Sequence, residues 1–288
     1  MPQPPLDLAG PTAVVLDVDG TIAGADNLVS PRTRTVMRDI EEQGVPVVVA
    51  TGRTRDSVLE ILEETGLRTP GISCNGAIVT DPVSGRDLRK QTMDPADVAA
   101  MVQVHEETGA AITWWTTREV FATSEDLRQV LLGFGAPAVT LAQPPARMPD
   151  DIVKTMCFGT PEEMDAAAPT IRRLTPRATR AMDHIWELSD ERATKWTGVA
   201  EVFELLGVDA KGAVGLGDGE NDVVWMEQIG LPVAMSNARP EAIAAARFVA
   251  GDFAEEGAAV FLEEVLRQIR KRVAWPRSGR PRTGTVAP

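Results

Sequence analysis

Short apolar runs alternate with helical segments in the N-terminal part of the chain, and this order restricts the possible folds more than any other feature. Residues 12–18, 45–51 and 71–79 each predict a buried strand, because continuous apolar runs are typical of a parallel sheet covered on both faces. Segments 30–44 and 55–66 between them carry helix start and stop residues. This β-α-β-α-β order, with right-handed crossovers, predicts a doubly wound parallel sheet.

The strict alternation is lost after Asp81 and resumes near residue 188. We therefore predict an α/β core formed by residues 1–81 and 188–272, interrupted by an inserted α+β domain at 82–187. Residues 273–288 are rich in Pro, Gly and Arg, and they predict a disordered basic tail.

Individual elements follow from hydrophobic periodicity and from turn residues. Within the insert we predict a turn at 81–87, helices at 95–109, 124–135 and 161–174, strands at 110–117, 152–158 and 177–188, and a loop at 142–151. In the second part of the core we predict helices at 197–207, 221–230, 239–248 and 255–272, and strands at 212–218 and 231–237.

Composition excludes several protein classes. Hydrophobic residues make up 43% and charged residues 25% of the 288 residues, as in a globular protein of about one or two domains. No apolar stretch is long enough to cross a bilayer, and residues 1–10 lack the features of a signal peptide. Two cysteines, Cys74 and Cys157, cannot form a disulfide framework, so we expect a cytoplasmic protein without a membrane partner.

The net charge of −13 is distributed unevenly. From Arg267 onwards there are seven Lys or Arg and no acidic residue, so the preceding chain carries 22 basic against 42 acidic residues. A body of this charge repels nucleic acid and attracts metal cations. We therefore expect no nucleic-acid partner.

Polar residues at the strand ends carry the candidate chemistry. Asp17 and Asp19 end the first apolar run. A segment that only formed a turn would not require a charged residue inside a buried strand. Thr51, Gly52 and Arg53 follow the second run. Ligands of parallel α/β sheets bind beyond the carboxyl ends of the strands. Thr51 could instead be a helix N-cap, and Arg53 could be solvated.

The later strand at 212–218 ends in a second acidic group. Asp218, Asn221 and Asp222 lie there, and Lys195 precedes the predicted helix that leads back to this strand. Carboxylates gathered at one sheet edge repel one another, and a hard divalent cation offsets that repulsion. Ligands that are all oxygen favour Mg²⁺ over zinc.

These motifs together resemble the haloacid dehalogenase superfamily of phosphatases. The four matching segments, in family order, are DVDGT (17–21), VVVATGR (47–53), Lys195 and GDGEND (217–222). The segments SCNGA (73–77) and PVAMSNA (232–238), with the size of the insert, resemble the Cof-like subclass IIB sugar-phosphatase branch. One departure is Trp196, where this branch often has a glycine after the lysine.

The resemblance implies a Mg²⁺-dependent phosphomonoester hydrolase that acts through an aspartyl-phosphate intermediate. It implies that Asp17 is the nucleophile and that Asp19 is the general acid and base. The implied metal site consists of Asp17, Asp19 through its backbone carbonyl, Asp218 and Asp222. The implied phosphate-binding residues are Gly20, Thr51, Gly52, Arg53, Lys195 and Asn221, and Asn75 is the candidate substrate contact.

Alternatives remain open at this stage. A phosphomutase would use the same nucleophile but return the phosphate to a sugar, whereas a non-catalytic protein on the same scaffold would only bind a phosphorylated ligand. A receiver-type signalling domain would be much shorter. The spacing around GLGDGEND lacks the G-x-G-x-x-G pattern of dinucleotide binding. Trp114, Trp115 and Trp186 are expected in the core, and Cys74 is expected to be a packed thiol.

The substrate is a small phosphorylated metabolite that the sequence does not name. Sugar phosphates, polyol phosphates, and nucleotide or flavin precursors all remain open, because the inserted cap selects the leaving group in this branch. The oligomeric state is also open.

Overall fold

The computed structural model describes residues 10–24, 27–133, 135–145 and 147–273. The predicted basic tail after Val273 lies outside these residues. The first part of the chain contains β1 (Val14–Leu16), α1 (Pro31–Glu42), β2 (Val47–Val49), α2 (Arg55–Thr65), β3 (Gly71–Ser73), β4 (Ile78–Thr80) and β5 (Asp87–Lys90).

A mixed α+β segment follows. Its elements are α3 (Pro95–Thr108), β6 (Ala111–Thr116), β7 (Val120–Ala122), α4 (Glu125–Gly133), β8 (Thr140–Leu141), β9 (Ile152–Phe158), α5 (Pro161–Leu174), β10 (Thr179–Met182) and β11 (Ile185–Ser189).

The chain then returns to regular α/β structure. The last elements are α6 (Lys195–Leu206), β12 (Val214–Gly217), α7 (Glu220–Met226), β13 (Leu231–Ala234), α8 (Pro240–Ala245), β14 (Phe248–Val249) and α9 (Gly257–Val273).

A five-stranded parallel sheet forms the centre of the core, in the order β14-β13-β12-β1-β2. Apolar residues cover both of its faces. Val14 and Leu16 belong to a cluster with α1 and α9, whereas Val15 belongs to a cluster with α6 and α7 on the opposite face. The predicted doubly wound fold is confirmed, and it places β1 between β12 and β2 with the residues after Leu16 at the carboxyl edge.

A second sheet of six strands has the order β10-β11-β9-β6-β7-β8. It is antiparallel apart from the β7–β8 pair. Helices α3 and α5 pack on one face, in a cluster that includes Trp114 and Trp186, so both tryptophans lie in the core as predicted. Trp115 is also buried, but it points to the opposite face, where the packing includes Cys74 and Ile78.

Two predicted strands are hairpins, so these two predictions are wrong. Segment 71–79 contains β3 and β4, which pair antiparallel around a 3₁₀ turn at Cys74–Gly76. Cys74 and Asn75 have φ values of 49° and 54°, and such left-handed residues cannot continue a strand. Segment 177–188 likewise contains the antiparallel pair β10 and β11.

Four short strands, β5, β7, β8 and β14, were not predicted, and β14 begins at Phe248, within the predicted helix at 239–248, because α8 already ends at Ala245. The strand β5 extends the small sheet β3-β4-β5 and begins within the predicted turn at 81–87. Helix α6 begins at Lys195 itself, whereas the sequence placed this residue before the helix. Within the described residues, no helix combines the length and the apolar character needed to cross a membrane.

Candidate active site

Lys195 is held between two carboxylates at the carboxyl edge of the core sheet. Its ammonium nitrogen lies 2.6 Å from Oδ1 of Asp17 and 2.8 Å from Oδ1 of Asp222. Asp17 directly follows β1, and its amide still donates to the Leu216 carbonyl of β12. The Thr194 side chain caps α6, and Lys195 is therefore the first residue of the helix.

Burial makes the charges of this group strongly interdependent. Desolvation, followed by the charge of Asp222, raises the pKa of Asp17 well above its ordinary value, although Lys195 acts in the opposite direction. Burial alone would lower the pKa of Lys195, but the charges of Asp17 and Asp222 more than offset this effect and raise it. Lys195 is therefore a cation at neutral pH and favours the ionised form of Asp17.

Asp218 completes a cluster of three carboxylates. One oxygen each from Asp17, Asp218 and Asp222 lies within 4.8 Å of the others. Desolvation raises the pKa of Asp218, and the charge of Asp222 adds to this effect. When all three are ionised, the carboxylates and the one lysine carry an excess of two negative charges, and the donors are all oxygen. This set fits Mg²⁺.

Gly20 allows the first acidic loop to approach the second. Its φ is +77°, and a Cβ at this position would overlap the Asp218 carboxylate. The Thr21 hydroxyl lies 3.4 Å from Oδ1 of Asp218, and the Gly20 carbonyl accepts a hydrogen bond from Asn237. A side chain at position 20 would therefore separate Asp17 and Asp19 from Asp218.

Asp222 is completely buried, and both of its oxygens are already engaged by protein donors. Oδ1 accepts from Lys195 and from the Trp225 indole, and Oδ2 accepts from the backbone amides of Asp218 and Gly219. A carboxylate offers about four acceptor sites, so these donors use its capacity. This arrangement suits a residue that orients Lys195 and the Asp218 loop.

Arg53 binds Asp19 instead of being solvated. Its Nη2 lies 2.6 Å from Oδ1 of Asp19, and its Nε lies 3.1 and 3.2 Å from the two carboxylate oxygens. The Arg53 side chain is 5% exposed, whereas that of Asp19 is 57% exposed. Asn27 accepts further hydrogen bonds from the guanidinium. Arg53 therefore orients a carboxylate that remains accessible to a ligand.

Thr51 and Gly52 present groups suited to an anion. The Thr51 hydroxyl oxygen accepts from the Arg53 amide, and among the described residues no hydrogen bond uses its proton. The N-cap of α2 is Thr54, so the alternative prediction that Thr51 caps this helix is wrong. A Cβ on Gly52 would lie 3.1 Å from Oδ1 of Asn75, which shows how closely the two loops approach.

Asn75 and Asn221 join the 3₁₀ turn to the acidic loop through a side-chain hydrogen bond of 3.1 Å. Gly76 allows this turn to pack against the start of α6, because a Cβ there would overlap the Thr194 carbonyl. Burial raises the pKa of the neighbouring Cys74 thiol to about 12. Cys74 is therefore a packed thiol, as predicted.

A cavity of about 340 Å³ lies between the loops at the carboxyl edge of the core sheet and the six-stranded sheet. Asp19, Gly52, Arg53, Asn75 and Asn221 line its core side. The residues on its other side that sequence reasoning missed are Trp115, Lys154 and Glu187. Only Lys154 had a visible signal, in the apolar run IVKTMCF, because a charged residue inside a buried strand needs a partner, as it does at Asp17.

The sequence model of the haloacid dehalogenase-like hydrolase family matches residues 14–262. Among curated relatives, the phosphatase YwpJ of Bacillus subtilis is 26% identical over 283 residues, covering 88% of this chain and 99% of the relative. The phosphoglycolate phosphatase of Methanopyrus kandleri is 25% identical over 257 residues, covering 89% of this chain and 97% of the relative.

A solved structure described as a HAD subclass IIB sugar phosphatase shares the fold, with a TM-score of 0.75. The match covers 90% of this chain and 99% of the chain in the solved structure. At 20% identity the similarity concerns the fold alone. The family match contains both halves of the core sheet and the segment between them. Because that match covers most of the chain, this protein belongs to the haloacid dehalogenase-like hydrolase family.

Proposed function

We propose that this protein is a phosphatase that hydrolyses a small phosphomonoester, a sugar or polyol phosphate, with Mg²⁺ and through an aspartyl phosphate on Asp17. Membership of the hydrolase family and the phosphatases among its relatives support the enzyme class. The observation that carries the proposal is the buried contact between Lys195 and Asp17, 2.6 Å apart at the carboxyl edge of the central strand.

The residues proposed to hold Mg²⁺ are Asp17, the Asp19 backbone carbonyl and Asp218. Asp222 supports them by orienting Lys195 and the amides of the Asp218 loop. When bound, Mg²⁺ would neutralise negative charge on the phosphoryl oxygens and on the carboxylates. Lys195, the Thr51 hydroxyl and the backbone amides near Gly20 and Gly52 would meet the remaining phosphoryl charge.

In the first step a carboxylate oxygen of Asp17 attacks phosphorus, and the bond to the leaving-group oxygen breaks. Asp19 donates its proton to that oxygen and releases an alcohol. Lys195 favours this step because its charge lowers the pKa of Asp17 against the effect of burial and because its contact fixes the orientation of the carboxylate. The product of the step is the aspartyl phosphate and an ionised Asp19.

In the second step the ionised Asp19 takes a proton from a water molecule, which attacks the aspartyl phosphate. Inorganic phosphate leaves, Asp17 returns as a carboxylate, and Asp19 is protonated again. Both steps require Asp19 in one place, and the two-point contact with Arg53 provides that orientation. Asn221 and Asn75 support the loops that border the phosphate site.

The insert at 82–187 is proposed to be a cap that covers the site and selects the leaving group, over the catalytic core of 1–81 and 188–272. Its sheet supplies one side of the cavity, and this position supports the proposal. We also propose a cytoplasmic location, from the two buried free cysteines, and no nucleic-acid or membrane partner, from the acidic body.

The experiment is a phosphate-release screen across phosphorylated metabolites, with Mg²⁺ and then with a chelator. We expect release from sugar or polyol phosphates, dependence on Mg²⁺, and no release by Asp17→Asn. Full turnover after exhaustive chelation would contradict the metal requirement. Activation by a sugar bisphosphate with phosphate transfer to a second sugar, instead of release, would identify a phosphomutase and contradict the proposal.

A further inference from the structure

An ion pair between a buried lysine and a partly exposed glutamate forms part of the cap side of the active-site cavity. The Lys154 ammonium lies 2.7 Å from Oε2 of Glu187, with side-chain exposures of 7% and 26%. Both residues line the cavity that also contains Asp19 and Arg53. A leaving group attached to a phosphate at Asp17 would extend into this cavity.

The antiparallel register places these side chains on one face of the six-stranded sheet. Lys154 on β9 pairs with Trp115 on β6 and with Ser189 on β11. Glu187 lies two residues from Ser189, so it is the diagonal neighbour of Lys154 on the same face. The Lys154 ammonium also lies 5.0 Å from the centroid of the Trp115 ring. Trp114, which precedes Trp115 on β6, packs on the opposite face of the sheet.

Fold stability does not explain why the Lys154 charge is buried here. Removing a charge from water costs several kcal/mol, and apolar residues of similar volume often replace buried ion pairs without loss of stability. The surrounding wall already contains apolar Met156 and Ile185. Among the described residues, Glu187 is the only salt-bridge partner of Lys154. An ammonium has three N–H donors, so Lys154 retains donors for a ligand.

We propose that Lys154 and Glu187 are specificity-determining residues that select an uncharged, hydroxyl-bearing leaving group and reject an anionic one. This inference rests on the proposed phosphatase function. A hydroxyl group accepts from Lys154 and donates to Glu187, and its carbon chain contacts Trp115 and Met156. Lys154 alone would attract a carboxylate on the leaving group. Glu187 neutralises the charge of Lys154 and repels that carboxylate.

The size of the cavity supports a small leaving group. Its volume of about 340 Å³ is near the lower end of the range of about 300–1,000 Å³ found for small-molecule sites. The relevant discrimination is therefore between small molecules of equal length that differ in one charged group. Glycerol 3-phosphate and 3-phosphoglycerate are such a pair, because a hydroxymethyl group in the first replaces a carboxylate in the second.

The test compares kcat/KM for these two esters in the wild type and in Glu187→Gln. We expect the wild type to prefer glycerol 3-phosphate, and we expect Glu187→Gln to shift the preference toward 3-phosphoglycerate by about tenfold or more. Lys154→Gln should shift the preference in the opposite direction. Glu162→Gln, which removes the same charge from an exposed position on α5, should leave the ratio unchanged.

The ratio separates recognition from a structural effect, because a loss of stability lowers the activity on both esters together. An unchanged ratio in Glu187→Gln would overturn the inference. So would the unfolding of both pair variants under conditions where the wild type is native, since the pair would then be structural.

A binding measurement separates this inference from the proposed function. Calorimetry in an Asp17→Asn background, with and without Glu187→Gln, should show the same shift in the ratio of the two dissociation constants. A wild type that hydrolyses no ester would contradict the proposed function, whereas an unshifted binding ratio would contradict only the selectivity pair.

Discussion

Lys195 contacts Asp17 across 178 residues of sequence, with an N–O distance of 2.6 Å. The lysine begins a helix, and the aspartate directly follows the central strand of the sheet. This contact between the two halves of the core places a fixed positive charge beside a buried carboxylate. The ionisation of Asp17 therefore depends on Lys195.

Lys195→Met should move the acid limb of the kcat/KM profile to higher pH and reduce activity at neutral pH by about 100-fold or more. Burial and Asp222 raise the pKa of Asp17, and Lys195 lowers it, so removal of the lysine raises the pKa further. In the proposed mechanism only ionised Asp17 attacks phosphorus, so a higher pKa of Asp17 moves the acid limb to higher pH. Lys195→Arg, which keeps the charge, should shift the limb less. An unshifted limb in Lys195→Met would contradict this relationship.

Asp17→Asn and Asp19→Asn should fail at different steps. Asp17→Asn should form no phosphoenzyme from any ester, because an amide does not attack phosphorus. Asp19→Asn cannot protonate a basic alkoxide, but an aryl phosphate has a leaving group that departs without help. Rapid mixing of Asp19→Asn with an aryl phosphate should therefore give a stoichiometric burst of phenol, followed by slow turnover. Equal loss of aryl and alkyl substrates without a burst would refute this assignment.

Arg53→Lys should reduce activity on alkyl phosphates more than on aryl phosphates. Lysine keeps the positive charge but lacks the planar fork that contacts both oxygens of Asp19. We expect a loss of about 10- to 100-fold for an alkyl ester, because proton transfer by Asp19 contributes at least this much. Arg34→Lys, at a half-buried arginine that pairs with Glu64 on α2, is the control. An equal loss on both esters would indicate that Arg53 binds phosphate instead.

Asp218→Asn should stabilise the chelated protein at neutral pH by roughly 1 kcal/mol, or about 2 °C in Tm. Burial raises the folded-state pKa of Asp218, so folding favours its protonated form. That stabilisation is complete below the unfolded-state pKa and is lost as the pH rises through the folded-state pKa. The difference in Tm between wild type and Asp218→Asn should therefore close as the pH falls.

The same variant tests the metal site. Mg²⁺ should raise the Tm of the wild type more than that of Asp218→Asn, because the wild type gains relief from carboxylate repulsion. Asp183→Asn removes an exposed charge from the β10–β11 turn, and its response to Mg²⁺ should match the wild type. Equal Mg²⁺ shifts in wild type and Asp218→Asn would mean that Asp218 does not hold the metal.

The sequence predicted those site residues whose positions follow from strand ends. Asp17 and Asp218 lie after apolar runs, so the parallel sheet alone brings them to one edge. Arg53 was not assigned to Asp19, because this contact depends on the path of two loops that periodicity does not describe. The turn at Asn75 was read as strand, because the apolar run was given more weight than the Asn75–Gly76 pair, which is typical of hairpin turns.

Residues whose function depends on tertiary neighbours were the hardest to predict. The sequence predicted Asp222 as a metal ligand, which stays a prediction, and it gave no sign of the four protein donors that the Asp222 carboxylate accepts from in the structure. Lys154 was passed over inside a predicted strand, because its partner Glu187 lies on a strand distant in sequence. Local periodicity does not encode which strands pair in a sheet whose strand order differs from the order in the sequence.

The central position of β1 has a consequence for the growing polypeptide on the ribosome. Val14 pairs with Val47 on one side and with Val214 on the other, so one neighbour is made early and the other about 200 residues later. At about 5–20 residues per second, this delay lasts roughly 10 to 40 seconds. During that time β1 presents an open edge to other nascent chains. The risk of aggregation therefore depends on how fast the C-terminal half is translated.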